Sequence, residues 1–236
     1  ETFFASLYNE NRDPSHTGVV YGSIDPMNTS LSIKGQFPFP ARIISAFRED
    51  GWAKKEGLKL EIFPHLIQLG NGTVVLTGEF VKVVQVEFSR ATFNYMNRGS
   101  ILTVLFNEKE PVFTRIPREM YNDRPISTAG ESFRVIAGSN NLYYLYNDLR
   151  ESLTRDPEGK PLTTHPYEET VLAGAVVNME GKLERHMVAD QSAGNFLALT
   201  GHYFELPDHS AWMPFVKMKK SSATEDDHKW CRLYFK

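Results

Sequence analysis

The seven histidines are the residues of this sequence best suited to hold a metal ion, but their spacing does not favour a metal site. No two of them stand at the short intervals at which zinc or facial-triad sites place their ligands. The closest grouping along the chain is His202 with Asp208 and His209, on a predicted turn between strands. Polar residues are common at turns without any ligand, so we predict no metal site and no cofactor. The one cysteine, Cys231, excludes an intrachain disulfide, and we expect its thiol to be buried and inert.

Adjacent carboxylates could support acid–base chemistry, and they occur at Glu168-Glu169 and at Glu225-Asp226-Asp227. Neighbouring side chains on a strand point to opposite faces, whereas a glycosidase needs two carboxylates that face each other across a cleft. The sequence contains no G-x-S-x-G elbow, no P-loop and no G-x-G-x-x-G fingerprint. We therefore predict no catalytic residues and keep a carbohydrate-active or other hydrolytic enzyme as the alternative.

Aromatic side chains supply the candidates for binding, since they offer large contact areas with few rotatable bonds to freeze. Tyr121, Tyr167 and Trp212 lie in predicted loops, where a core does not readily absorb them. They are the predicted binding residues, with a protein or a glycan as the ligand.

Composition and charge indicate a single globular domain over residues 1–236. The chain is 41% hydrophobic and 23% charged, and 236 residues can bury a sizeable core without dividing. Lys and Arg number 26 against 29 Asp and Glu, and a formal charge of −3 offers no positive excess for nucleic acid. No apolar run approaches the roughly 20 residues of a membrane span, and no signal peptide opens the chain.

Two kinds of turn recur at nearly the same spacing among short runs of strand-forming residues. An Asn turn at Asn71 returns at Asn140, and 140 − 71 = 69. A polar turn at Asn107 returns at Asn178, and 178 − 107 = 71. Each turn lies between strand patterns, so a unit has two hairpins, or four antiparallel strands, which is the content of a propeller blade.

Partial units flank these two copies. Residues 18–35 predict a hairpin that turns at residues 25–28. Asp208-His209 stand where the Asn turn of a third copy falls, since 208 − 140 = 68, and "KWCRLYF" supplies the next strand.

The stretch "NLYYLYND" at residues 141–148 is predicted to be an inner strand of the second unit. Alternation places Leu142, Tyr144 and Tyr146 on one face and Tyr143 with Leu145 on the other. Because both faces are apolar, we expect this strand to be sandwiched between neighbouring blades, with its tyrosines filling the space between them.

Two segments interrupt the repeat. Residues 41–56 place Ile43, Ile44, Phe47 and Trp52 roughly at helical spacing and predict a short inserted helix, although Gly51 is unfavourable within it. Residues 149–170 are polar and proline-containing, and they predict a long polar loop.

The succession of "LIQLGNGTVVLTGE", "ILTVLFNEKEPVFTRIPRE", "LYYLYND", "VVNMEGKLERHMV" and "CRLYFK" resembles uncharacterised exported β-propeller-like proteins of the Bacteroidota. The resemblance runs from Gly18 to the C-terminus. It implies a periplasmic, outer-membrane-associated or secreted protein, and it supplies no known reaction and no catalytic residues.

The repeat starts and finishes within a blade, which leaves two interpretations open. The chain is the C-terminal part of a longer propeller, or residues 2–8 ("TFFASLY") pair with the last strands and close a small ring. We favour the first, as a fragment or a processed form, since edge strands left open are an aggregation risk.

We therefore predict an all-β protein, a β-propeller-like array of four-stranded antiparallel blades with one short inserted helix. The expected function is non-catalytic binding or scaffolding in an exported or cell-envelope assembly, with a protein as the partner. A glycan-binding module and a hydrolytic enzyme are the alternatives. An enzyme would gather His, Asp and Glu from several blades into one pocket, whereas a scaffold would expose an aromatic patch.

Overall fold

The computed structural model describes residues 2–10, 15–49, 53–54, 57–58, 65–88, 91–107, 110–118, 133–154, 170–190, 196–207, 210–217 and 228–234. Most of these residues belong to antiparallel strands, which form four sheets of three or four strands and one short strand pair. The prediction of an all-β protein is confirmed. No described helix is long and apolar enough to cross a membrane.

The first sheet has three strands in chain order, β1 (Thr2–Tyr8), β2 (Gly18–Ile24) and β3 (Leu31–Pro38). The predicted hairpin between β2 and β3 is confirmed, and the Asp25 carboxylate accepts a hydrogen bond from the Met27 amide at 2.9 Å in its turn. β1 pairs along its whole length with β2, and no described strand joins it to the end of the chain. The ring closure considered for this strand is therefore wrong for the described part of the chain.

A helix, α1 (Ala41–Glu49), lies where the inserted helix was predicted, but it is shorter. Ile43 and Phe47 are buried, as the apolar spacing indicates. The prediction extended the helix to residue 56, whereas Ala53–Lys54 (β4) pairs with Gly57–Leu58 (β5). Glycine disfavours helix, and Gly51 stands between α1 and β4 in the sequence, which explains the early end.

The second sheet is a meander of β6 (His65–Gln68), β7 (Val74–Phe88), β8 (Ala91–Phe106) and β9 (Val112–Ile116). Both predicted hairpins of this unit are confirmed. In the first turn Asn71 accepts a hydrogen bond from the Thr73 amide at 3.0 Å, and Gly72 has a φ of 86°, which glycine adopts without strain. β7 and β8 are 15 and 16 residues long, much longer than the short strands predicted.

The third sheet repeats this order with β10 (Phe133–Ala137), β11 (Asn141–Leu149), β12 (Thr170–Asn178) and β13 (Leu183–Ala189), so its two predicted hairpins are also confirmed. The long loop predicted for residues 149–170 differs from the structure at both ends. Leu149 is the last residue of β11, Arg150–Thr154 forms the short helix α2, and Thr170 begins β12. Residues 155–169 lie outside the described part of the chain.

The fourth sheet contains β14 (Phe196–Ala198), β15 (Phe204–Glu205), β16 (Ser210–Lys217) and β17 (His228–Tyr234). β14 and β15 pair with opposite ends of one edge of β16, and β17 pairs with its other edge. The strand predicted from "KWCRLYF" and the preceding hairpin are thus present, although Asp208 and His209 lie outside the described residues.

The sheets pack face to face in chain order. One apolar cluster joins the first sheet and α1 to the second sheet, a second joins the second and third sheets, and a third joins the third and fourth. Leu142, Tyr144 and Tyr146 of β11 lie in the second cluster, and Leu145 lies in the third. The predicted sandwiching of "NLYYLYND" is therefore confirmed, and Tyr144 and Tyr146 serve packing, whereas the half-buried Tyr143 belongs to none of these clusters.

Buried polar contacts also join neighbouring sheets. The Tyr144 hydroxyl of the third sheet lies 2.7 Å from the Thr103 hydroxyl of the second. The Asn147 side chain donates to the Ala198 carbonyl at 2.7 Å and accepts from the Ala198 amide at 3.2 Å, which ties the third sheet to the fourth. Buried amides and hydroxyls are costly unless they are bonded, so these contacts fix how the sheets are aligned.

Candidate binding surface

The outer face of the fourth sheet carries four exposed aromatic side chains and one arginine. Trp212 of β16 stands directly opposite Phe204 of β15 and Arg232 of β17, so these three side chains share one face. Trp230 and Tyr234 stand two positions to either side of Arg232 and lie on the same face. We call Phe204, Trp212, Trp230, Arg232 and Tyr234 the aromatic face.

Contacts within the aromatic face order its side chains. The rings of Phe204 and Trp230 lie 5.9 Å apart, and they meet over β16 because their strands flank it. The Arg232 guanidinium lies 5.2 Å from the centre of the Tyr234 ring, and its Nε donates to the Ser210 hydroxyl at 2.9 Å. The arginine is thereby held next to the rings.

The exposure of these rings is large for apolar groups. Tyr234 is 67% exposed, Trp230 55%, Phe204 54% and Trp212 37%. An aromatic side chain buries 150–250 Å² when it is covered, so roughly 400 Å² of aromatic surface is accessible here. An area of this size is comparable to the largest apolar patch of a typical monomer, and such patches are often functional.

The inner face of the same sheet shows how a covered face of this fold is built. Met213 and Phe215 of β16 are buried against Leu145 and Leu172 of the third sheet, and Leu233 of β17 packs beside them. No described residue covers the aromatic face in this way. Among the described residues the rings of the aromatic face therefore remain exposed.

The predicted binding residues are placed unequally. Trp212 belongs to the aromatic face, although it lies in strand β16 and not in the predicted loop. Tyr121 and Tyr167 lie outside the described residues. The sequence analysis did not select Trp230 and Tyr234, which a period-two reading of "KWCRLYF" could have found, since aromatic and arginine residues alternate there with Cys231 and Leu233.

The thiol of Cys231 is free and exposed, so the expectation that it is buried is wrong. β17 pairs on one side only among the described strands, and this edge position leaves its side chains accessible.

The described residues contain no group of three or more His, Cys, Asp or Glu side chains that could hold a metal ion. His202 is exposed in the turn before β15, and Asp208 and His209 lie outside the described part of the chain. The paired carboxylates at residues 168–169 and 225–227 also lie outside it.

A cleft of about 370 Å³ lies between α1, β9 and the turn that joins β12 to β13. Glu180 is the one carboxylate among its described lining residues. Glycoside hydrolysis needs two facing carboxylates, and the described lining residues of this cleft do not supply such a pair.

A buried ion pair joins Glu79 of β7 to Arg118, which follows β9. The two charged atoms are 2.7 Å apart, and the side chains of Arg118 and Glu79 are 0% and 3% exposed. Arg118 also donates from Nε to the Asn147 carbonyl of the third sheet at 3.1 Å. The pair is closed to solvent, so its role in this structure is to hold two sheets together.

The buried tyrosines remain protonated at ordinary pH. Burial raises the pKa of Tyr144 to about 12, against the opposing effect of its hydrogen bonds to Thr103 and Thr77. Burial also raises the pKa of Tyr146, and the charge of Asp148 acts in the same direction. An activated tyrosine would need a lowered pKa, so these hydroxyls act as neutral structural groups.

Comparisons with known proteins give no assignment. The chain matches no protein-family model, and no curated protein and no solved structure is significantly similar to it.

Proposed function

We propose that the protein is a non-catalytic binding module and that it holds a protein partner on the aromatic face. The observation that carries this proposal is the exposure of four aromatic rings beside one arginine on the outer face of the fourth sheet. By contrast, apolar clusters cover the faces that the first and second, the second and third, and the third and fourth sheets turn towards each other.

The composition of the aromatic face favours a protein as the ligand. Tyr, Trp and Arg are the residues enriched at the energetic centres of protein interfaces, where they bury large areas without losing many rotamers. Strand pairing restrains Trp212, Trp230 and Arg232, so little ordering is needed on binding. The expected partner surface is apolar, with a carboxylate placed to meet Arg232.

We extend the proposal to the arrangement of the sheets and to the location of the protein. Meander sheets that follow each other at about 70 residues and pack face to face are consistent with propeller blades. A crystal structure tests this arrangement, because the blades of a propeller must surround one axis. The sequence resemblance supports export to the periplasm or cell surface, which protease accessibility on intact cells tests.

The binding proposal is tested by replacing both tryptophans of the aromatic face. Wild-type protein, a Trp212→Ala/Trp230→Ala variant and a Leu66→Ala control are immobilised and exposed to an extract of the cells that make the protein. Leu66 is also an exposed apolar side chain, 44% accessible, but it lies on the second sheet. Retained proteins are cross-linked and quantified by mass spectrometry.

We expect one protein to be retained in stoichiometric amount by the wild type and the control, and at least about tenfold less by the double variant, since truncation of an interface anchor costs more than about 1–2 kcal/mol. Circular dichroism verifies that the variants fold. Equal retention by all three proteins would contradict the proposal. If no protein is retained and a glycan array shows binding that depends on the two tryptophans, the module binds glycans and the protein partner is wrong.

A further inference from the structure

We propose that the cleft between α1, β9 and the β12–β13 turn binds a small organic anion, with a carboxylate or phosphate group attached to an apolar body. This site lies on the second and third sheets and is independent of the aromatic face. Its volume of about 370 Å³ falls at the small end of the range of ligand pockets.

The charges that line the cleft favour an anion. Among the described lining residues Arg42, Arg115 and Lys182 contribute three positive charges and Glu180 one negative charge, and Glu184 beside the cleft pairs with Lys182. The whole chain is acidic, with a formal charge of −3, so this local excess of positive charge is opposite to that of the protein. Grouped cations attract oxyanions and orient them by charge-assisted hydrogen bonds.

Arg42 is the residue best placed to bind the anionic group. Its Nη2 donates to the Phe113 carbonyl at 2.8 Å, which fixes the guanidinium against β9. A guanidinium has five N–H donors, and this bond uses one of them. No carboxylate among the described residues pairs with Arg42, so a bound oxyanion would supply its counter-charge.

Arg115 and Lys182 complete the positive wall. The Nε of Arg115 donates to the Ser100 hydroxyl at 3.0 Å, and its guanidinium lies 5.6 Å from the centre of the Phe47 ring. Lys182 makes an ion pair with Glu184 at 3.0 Å, but both side chains are about 70% exposed. An exposed pair is worth little, so the lysine can turn to a ligand at small cost.

The walls of the cleft are fixed before any ligand binds. The Thr114 hydroxyl donates to the Gly181 carbonyl at 2.9 Å and joins β9 to the turn. Asn178 accepts hydrogen bonds from the amides of Glu180 and Lys182 at 3.0 and 2.8 Å, which sets the turn itself. A preformed site spends less of its binding energy on ordering the protein.

The apolar part of the lining calls for a ligand with a hydrocarbon body. It is formed by Ile43, Ala46, Val112, Phe113 and Leu183, of which Ala46, Val112 and Leu183 are partly exposed. An inorganic ion would leave this surface in contact with water, whereas an organic anion would cover it and gain the corresponding transfer free energy.

The experiment compares three probes: phenyl phosphate, inorganic phosphate and benzyl alcohol. Each probe is titrated into the full chain at low ionic strength, and binding is followed by calorimetry and ligand-observed NMR. The variants are Arg42→Gln and Lys182→Gln. The control is Arg150→Gln, which removes the same charge from an exposed arginine paired with Asp190. That arginine lies beside the far end of β13, roughly 20 Å from the cleft by strand length.

We expect phenyl phosphate to bind at least about tenfold more tightly than either other probe, because only it offers both the charge and the apolar body. Arg42→Gln should weaken its binding about tenfold, Lys182→Gln less, and Arg150→Gln less than about twofold. The proposal is overturned if phenyl phosphate shows no saturable binding up to about 10 mM, or if the control weakens binding as much as Arg42→Gln. If inorganic phosphate binds as tightly as phenyl phosphate, the inference that the ligand has an apolar body is wrong.

Discussion

Replacing Glu79 by Gln should destabilise the protein strongly, because it removes the carboxylate that faces the buried Arg118 charge. The substitution keeps the size and shape of the side chain, so it creates no cavity. It leaves the arginine 0% exposed, with its hydrogen bond to the Asn147 carbonyl but without the opposite charge 2.7 Å away. The expected loss therefore reports the electrostatics of the site and not its packing.

The magnitude follows from the burial of the two side chains. Removing one partner of a buried ion pair costs about 3–5 kcal/mol, because the remaining charge loses the attraction that offset its desolvation. In a domain of this length that loss lowers the melting temperature by roughly 6–20 °C. The matched control is Glu184→Gln in the exposed pair with Lys182, where the distance is 3.0 Å and the expected loss is below about 1 kcal/mol.

Replacing both Glu79 and Arg118 separates the contribution of the ion pair to the free energy of unfolding from the cost of leaving one charge buried alone. In a Glu79→Leu/Arg118→Met variant neither charge has to be desolvated, and hydrophobic side chains of similar size fill the space. Such replacements are often neutral or stabilising. We expect the double variant to be at least about 2 kcal/mol more stable than Glu79→Leu alone or Arg118→Met alone.

The assay is urea unfolding at pH 7 followed by tryptophan fluorescence and circular dichroism, with the same slope required for all variants so that the free energies are comparable. A loss below about 1 kcal/mol for Glu79→Gln would refute the reasoning, since it would mean that solvent reaches the pair. A double variant as unstable as the sum of the single variants would also refute it, because the residues would then act through packing.

Three further predictions concern contacts between the sheets. The pKa of Tyr144 is raised to about 12, whereas the tyrosine of the unfolded chain ionises near pH 10. The free energy of unfolding should therefore fall by roughly 2–3 kcal/mol as the pH rises from 10 to 12. Unfolding experiments at several pH values should show a smaller fall for Tyr144→Phe. Asn147→Ala should cost about 2–3 kcal/mol in urea unfolding, because both backbone groups of Ala198 lose a buried partner. Gly181→Ala should lower the melting temperature by several degrees, because a φ of 78° disfavours a side chain and the new Cβ would lie 2.4 Å from the Val112 side chain. The control is Gly70→Ala, whose new Cβ would meet no atom within 4 Å.

Local sequence signals predicted the hairpins and the covered strand well. Asn71 and Asn178 bond the amides of their own turns, so the turn is determined by residues that are neighbours in the chain. The alternation of "NLYYLYND" predicted that Tyr144 and Tyr146 face one neighbour and Leu145 the other. These features depend on periodicity and turn chemistry, which the sequence displays directly.

Features that depend on distant partners were not predictable in the same way. Strand β7 continues past Glu79 because it stays paired with β8 as far as Phe88, and Glu79 meets its counter-charge on Arg118, 39 positions away. The loop position given to Trp212 is wrong for a similar reason. Its strand is set by pairing with β17, which follows a polar segment that the local pattern does not bridge.

The two end sheets of the stack differ in a way that supports the proposal that the fourth sheet binds the partner. The first sheet also exposes apolar side chains, and Leu31 and Ile33 of β3 are 61% and 62% accessible. These are aliphatic groups, which gain free energy from any apolar cover and carry no polar group to specify a partner. The aromatic face combines ring surfaces with an arginine held by Ser210 and Tyr234, and under the proposed function we expect it to favour ligands that offer a carboxylate or another acceptor. Selectivity of this kind would separate a binding surface from an uncovered sheet face, so the comparison of wild type with the tryptophan variant decides whether the proposal holds.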